Sequence, residues 1–268
     1  MLLLIDAGNT RIKWAIADLA HDAGLPPVWH RIDSVNHAEL DSLGSVWAGF
    51  TVTRIVISNV AGEALQARLA SMLQQAVPGV SPERFQSSQS CAGLRNGYRN
   101  PTQLGSDRFA SAIAAHALYP QRALIVATCG TATTIDAVSP DGIFLGGMIL
   151  PGLQLMAQAL AKNTAQLPQI AASLLMNYAF ADNTDQAIVS GCINAQLGAI
   201  MQAHDALHTS LDQPVDCIIS GGAASYLTPH LGISCHHVDN LVLIGLYVVA
   251  RSGAPVSLPS TSSSSLST

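Results

Sequence analysis

Three stretches of this chain place small residues beside isolated charged or hydroxyl groups, a composition suited to handling phosphate. The first is Asp6-Ala7-Gly8-Asn9-Thr10-Arg11-Ile12-Lys13. Gly and Asn tolerate left-handed backbone angles, so a turn on Gly8 and Asn9 can aim several N–H groups at one anion. Thr10 adds a hydroxyl donor, and Lys13 can supply a point charge to the same phosphates. Asp6, closing an apolar run, is placed to hold a magnesium ion through water beside them. A tight hairpin in which Asp6 and Asn9 merely satisfy the turn accounts for the same residues.

The second stretch, Thr128-Cys129-Gly130-Thr131-Ala132-Thr133-Thr134, has no bulky residue in its turn and no carboxylate. It reads as a phosphate-approaching hairpin or as a plain turn between two β-branched strands. Gly221-Gly222-Ala223-Ala224 follows an apolar run and offers a third point of close approach, where an adenine or its ribose could lie against backbone. The third chemical stretch is Gly105-Ser106-Asp107-Arg108, opening an Ala-rich helix. The helix dipole favours an ionised Asp107 there, and such a group can accept a proton from a substrate hydroxyl. Arg108 can grip a carboxylate bidentately. Ordinary stabilisation of a helix N-terminus explains the same pair. Tyr98-Arg99-Asn100-Pro101 just upstream adds a phenol, a cation and an amide.

Alternating strands and helices must position these groups. Leu2–Asp6 reads as a buried strand, Arg11–Ala17 as its antiparallel partner and Arg54–Asn59 as a third strand, followed by a helix over 64–75. Asp107–Leu118 is helical, with Phe109, Ile113 and Ala117 on one face. A second series begins with strands at Ala123–Ala127 and Thr133–Val138, a turn at Pro140-Asp141-Gly142 and a strand from Ile143. Cys217–Ser220 is a further strand, and a helix covers about 240–251. Leu2–Thr10 and Leu124–Thr131 are each a strand emptying into a small-residue turn. Two such hairpins suggest two related α/β domains facing across a cleft, at 1–118 and 119–253. A single open sheet with an inserted hairpin is the alternative. Residues 254–268, nearly all Ser, Thr, Pro and Leu, read as a disordered tail.

Composition bounds the function. Of 268 residues 49% are hydrophobic and 11% charged, which excludes disorder of the body. A net charge of −5 with 12 Lys and Arg argues against a general nucleic-acid binder. Lys13 and Lys162 are the two lysines. Five scattered cysteines without a C-x-x-C pair fit a reducing cytoplasm and no disulfide framework. The histidines show no ligand spacing, so no transition metal is expected. Met1–Ile5 reaches Asp6 with no basic segment and reads as strand rather than export signal. No apolar run near the end is long enough to span a bilayer.

DAGNTRIK (6–13), YRNPTQLGSDR (98–108), CGTATTID (129–136), GGMILPG (146–152), NTAQLP (163–168), NTDQAIVSG (183–191) and SGGAA (220–224) together resemble the type III pantothenate kinases, also called the Bvg accessory factor family. These belong to the acetate and sugar kinase, Hsp70 and actin superfamily. The match runs in order from about Asp6 to Arg251, and GSDR after N-P together with GTATTxD is its specific part. The resemblance implies two actin-like (ribonuclease H-like) α/β domains around a nucleotide cleft, and a homodimer with substrate sites near the subunit interface. It implies ATP- and magnesium-dependent phosphorylation of pantothenate, the first step toward coenzyme A. Residues Asp6 to Lys13 (Asp6, Ala7, Gly8, Asn9, Thr10, Arg11, Ile12, Lys13) would form the first phosphate loop. Thr131 would belong to the ATP site, and Asp107 would be the proton acceptor. Tyr98, Gly105, Ser106, Asp107, Arg108 and Thr184 would line the pantothenate site. Thr128 stands where many members carry an aspartate that ligates a monovalent cation, which puts dependence on potassium or ammonium in question. A non-catalytic regulatory protein and an ATP- or polyphosphate-hydrolysing relative are the competing readings.

Overall fold

The computed structural model describes residues 1–19, 24–163, 176 and 179–254. The Ser/Thr-rich stretch from 255 onward and most of the 163–168 motif lie outside them. In chain order the elements of the first sheet and its cover are β1 (Leu2–Ala7), β2 (Arg11–Ala17), β3 (Trp29–Asn36), α1 (Leu43–Ala48), β4 (Arg54–Asn59), α2 (Glu63–Ala76) and β5 (Pro82–Arg84). The short strands β6 (Ser90–Cys91) and β7 (Leu94–Asn96) lead to α3 (Ser106–Leu118). Then come β8 (Ala123–Cys129), β9 (Ala132–Val138), β10 (Ile143–Pro151), α4 (Leu153–Asn163), α5 (Thr184–Leu211), β11 (Val215–Ser220), α6 (Ala224–Leu227), β12 (Cys235–His237) and α7 (Leu241–Ser252).

The strands form two mixed sheets, ordered β3-β2-β1-β4-β5 and β12-β11-β8-β9-β10-β7-β6. Each contains an antiparallel three-strand meander whose first strand then pairs in parallel with a later one: β1 with β4, and β8 with β11. The two small-residue turns are therefore the β1–β2 and β8–β9 connections, as the sequence predicts. Strands β6 and β7 extend the second sheet beyond β10, although they precede α3 in the chain.

Helices cover both faces of both sheets, which is why the strands read as continuous apolar runs rather than as alternations. Leu3, Ile5 and Ala7 of β1 pack outward with Leu43 and Trp47 of α1 and Leu65, Leu69 and Leu73 of α2. Leu2 and Leu4 face the other way, into a cluster shared with α3, α7 and the inner residues Leu124 and Val126 of β8. Ile125, Ala127 and Cys129 of β8 face α4, α5 and α6. The single-residue alternation along β1 and β8 thus sends each strand into two different cores.

The middle layer is α3 against α7. Nine positions of α3 are buried, several of them alanine. A Cβ at Gly245 of α7 would collide with the carbonyl of Ala110, so the two helices cross at a distance only glycine permits. This close crossing, with α3 buried between the sheets, fixes the N-terminus of α3, where Asp107 sits. Among the described residues no helix is long and apolar enough to cross a membrane.

Candidate active site

The two turns meet. Thr10 Oγ1 and Thr131 Oγ1 lie 2.7 Å apart in a hydroxyl–hydroxyl hydrogen bond that joins the β1–β2 and β8–β9 connections. Both threonines are exposed, so this contact lies at the surface that a ligand would reach. The first turn is held from behind. Val60 N–H donates to Ala7 O (3.1 Å), Gly8 N–H donates to Arg11 O (3.1 Å), and His37 Nε2 lies 2.8 Å from Gly8 O. The second turn is backed by Gly221, whose positive φ and missing Cβ admit the backbone of Cys129. The close approach expected at that glycine is therefore to the chain's own β8. Gly222 faces open space.

Asp6 is the penultimate residue of β1, directly opposite Lys13 on β2 and Ser58 on β4. Burial pushes its carboxyl up from 3.8 to about 7; the charge of Asp107 adds to this, and Lys13 opposes it. Asp6 thus lies near enough to Asp107 to feel its charge. Ala7 and Ile12 are buried in the outer core, so a ligand could meet only their backbone. Asn9 is exposed in the turn. Arg11 lies along β3, its Nε 3.4 Å from Asn36 Oδ1 and its Nη1 3.4 Å from Ser34 Oγ.

Asp107 occupies the first turn of α3 behind an N-cap, Gly105, that offers no side-chain bond. Its carboxylate accepts from the Arg108 amide at 2.8 Å. Burial raises its pKa and outweighs both that bond and the Arg108 charge. The expectation that the helix dipole governs this carboxyl is thus reversed in sign, because loss of water costs the anion more than the helix end returns. Ser106 Oγ lies 2.8 Å from Ser58 Oγ, tying α3 to the end of β4 in the buried interior. A cavity of about 340 Å³, lined by Asn59, Phe85, Ser87, Thr102, Gly105 and Ser106, opens against this helix end.

Arg108 is buried and fully engaged on one side. Its Nε is 3.1 and 3.3 Å from the two oxygens of Asp136 on β9, and its Nη2 bonds the same carboxylate. Nη1 donates to Tyr98 Oη at 2.9 Å. Its Cζ lies 5.8 Å from the ring centres of Tyr98 and of Phe144. Thr184 is exposed in the first turn of α5, and among the described residues no hydrogen bond or ion pair joins it to the Tyr98–Arg108 group. Thr128, half-buried at the end of β8, pairs with Thr134.

Sequence reasoning missed Asp136, Ser58 and His37. A lone carboxylate inside an uncharged strand was the available signal for Asp136. Nothing local marks Ser58 or His37, because their partners lie 48 and 29 residues away.

Comparison with known proteins gives this geometry a family. The model of the type III pantothenate kinases matches residues 2–206. The chain belongs to the type III pantothenate kinase family. It is 54% identical over 253 residues to the type III pantothenate kinase of Herminiimonas arsenicoxydans, covering 93% of this chain and 97% of that relative. Among solved structures it resembles a Campylobacter jejuni protein described as a Baf family transcriptional activator (TM-score 0.57, 20% identity, 93% of this chain and 98% of the other). It also resembles a Sinorhizobium meliloti protein described as a 2-dehydro-3-deoxygalactonokinase (TM-score 0.54, 14% identity, 95% and 100%). These structures share the fold with this chain, an α/β arrangement of mixed sheets also found in sugar kinases.

Proposed function

We propose that the protein transfers the γ-phosphoryl group of ATP to the primary hydroxyl of pantothenate, giving 4'-phosphopantothenate, with Asp107 as proton acceptor. The observation that carries this reading is the hydroxyl bridge between two small-residue turns, with Asp6 beside the first turn and close enough to Asp107 of α3 to feel its charge. Phosphoryl transfer asks a protein mainly for positioning and for charge that meets the phosphates. The turn amides and the Thr10 and Thr131 hydroxyls supply donors. Asp107 supplies the base, and its raised pKa brings it closer to a hydroxyl proton in strength.

The residues present suit magnesium. A half-buried, desolvated carboxyl with an elevated pKa is a costly anion that a divalent ion relieves, and magnesium commonly takes one or two carboxylates together with substrate phosphates. Asp6 would hold the ion through water, and the bound ion would neutralise charge on the phosphates. For a monovalent cation the fit is poor: Thr128 offers a neutral oxygen, the 128–134 turn holds no carboxylate, and burial pushes the Cys129 thiol up to about 12.

The exposed apolar residues Leu145, Met148 and Ile149 on β10 support a second copy covering that strand. A dimer would also give Thr184 a route to a substrate site that it does not reach within its own chain. The free cysteines among the described residues support a cytoplasmic location. The test is purified protein with ATP, magnesium and pantothenate, assayed for phosphopantothenate. No product, with or without potassium or ammonium, overturns the reading. Phosphate release indifferent to pantothenate would point instead to a hydrolase.

A further inference from the structure

We propose that Asp136 is a positioning residue that acts through Arg108, fixing which edge of its guanidinium meets the acceptor substrate. The proposal rests on the pantothenate kinase reading of the same site.

A guanidinium has five N–H donors arranged along two usable edges. The side edge, formed by Nε and Nη2, is filled by Asp136, which is itself 1% exposed. One Nη1 donor goes to Tyr98 Oη. Two donors remain, one on each terminal nitrogen. The Tyr98 and Phe144 rings, themselves edge to face at 5.6 Å, limit how the guanidinium can tilt.

The strand behind is shaped around this pair. A Cβ at Gly147 would collide with Asp136 Oδ1 and lie 2.8 Å from Arg108 Nη2. Both Asp136 oxygens face Arg108 in a buried ion pair, whose attraction opposes the upward push that burial and the charge of Asp107 give the Asp136 carboxyl. Its charge offsets that of Arg108. An acceptor carboxylate therefore meets two aimed N–H groups rather than a free cation, and recognition depends on their direction. The expected bidentate grip by Arg108 is confined to the end of the guanidinium that Asp136 leaves open.

The test is a double-variant cycle read in steady-state kinetics on the full-length protein. Asp136→Asn keeps the shape and one acceptor but removes the charge and the second strong bond. It is expected to raise KM for pantothenate by about 10-fold while KM for ATP stays within about 2-fold. In an Arg108→Ala background, Asp136→Asn is expected to add nothing further, because its effect runs through Arg108. Asp136→Glu, which restores the charge at a shifted position, is expected to recover part of the KM loss. A purely structural role would lower the melting temperature and active fraction and leave KM unmoved. Unchanged KM in Asp136→Asn, or independent effects in the double variant, overturns the positioning role. Should Asp136→Asn fail to fold, Asp136→Glu, which keeps the charge of the buried pair, is read instead: a KM for pantothenate equal to that of the wild type there overturns the positioning role. Absence of wild-type turnover with pantothenate would instead overturn the functional reading, and this proposal with it.

Discussion

Replacing Asp6 with Asn should make the unliganded protein more stable while abolishing its activity, and the gain should depend on pH in a defined direction. In the folded chain, half-burial and loss of water push the Asp6 carboxyl up from 3.8 to about 7. Below about pH 3.8 both folded and unfolded chains hold the proton, and the site costs nothing. Between 3.8 and 7 the unfolded chain releases the proton and the folded one keeps it, so stability falls as pH rises. Above 7 the full cost remains. About three pH units at about 1.4 kcal/mol each set a ceiling of about 4 kcal/mol at pH 8, and about 1.5 kcal/mol at pH 5. Asparagine never ionises and escapes this cost. The melting temperature of Asp6→Asn should therefore exceed that of the wild type by about 5–15 °C at pH 8, with a much smaller gap at pH 5. Thermal or urea melts without nucleotide or divalent ion measure this. An equal or lower melting temperature at pH 8, or a gap that does not shrink at pH 5, would refute the reasoning. A site that costs folding energy in this way is what a trade of stability for function looks like.

Asp107→Asn should cut phosphoryl transfer by about 100-fold or more with an unchanged fold, checked by steady-state rates and circular dichroism; near-normal turnover removes Asp107 as the base. His37→Ala should raise KM for ATP by about 3- to 10-fold while KM for pantothenate holds, since the lost bond fixes only the Gly8 carbonyl. His37→Gln, which can still donate, should restore most of it. Gly245→Ala should lower stability by about 2–4 kcal/mol in urea melts, because the added methyl meets the Ala110 backbone. A loss below about 0.5 kcal/mol would mean that α3 and α7 separate easily.

The sequence discloses those parts of the fold that are locally encoded. Strands β1, β2, β4, β8, β9 and β11 and helices α2, α3 and α7 all lie where their apolar runs predict, within a residue or two. The two phosphate-type hairpins are legible because the turn residues sit between the strands they join. Helix α5 is missed because Ser190 and Gln196 interrupt its buried stripe and Gly191 and Gly198 weaken its helical propensity, although Asn183 caps it by accepting from the Gln186 amide at 3.0 Å. Strands β6 and β7 are too short to show a period; β7 joins the sheet only by pairing with β10 about fifty residues later, and β6 only by pairing with β7. The same limit explains Asp136: its partner lies 28 residues away, and only folding shows that Arg108 already holds a carboxylate.

The central helix pair bears on how the chain can be made. Strand β1 is translated more than two hundred residues before α7, yet Leu2 and Leu4 on its inner face belong to a cluster that includes Leu241, Leu243, Leu246 and Tyr247 of α7. Until α7 is made the inner face of the first sheet can be covered only in part, by α3, and the remainder is a target for chaperones or for other nascent chains. A stop codon upstream of α7 would strip a wall from the first sheet as well as shortening the chain.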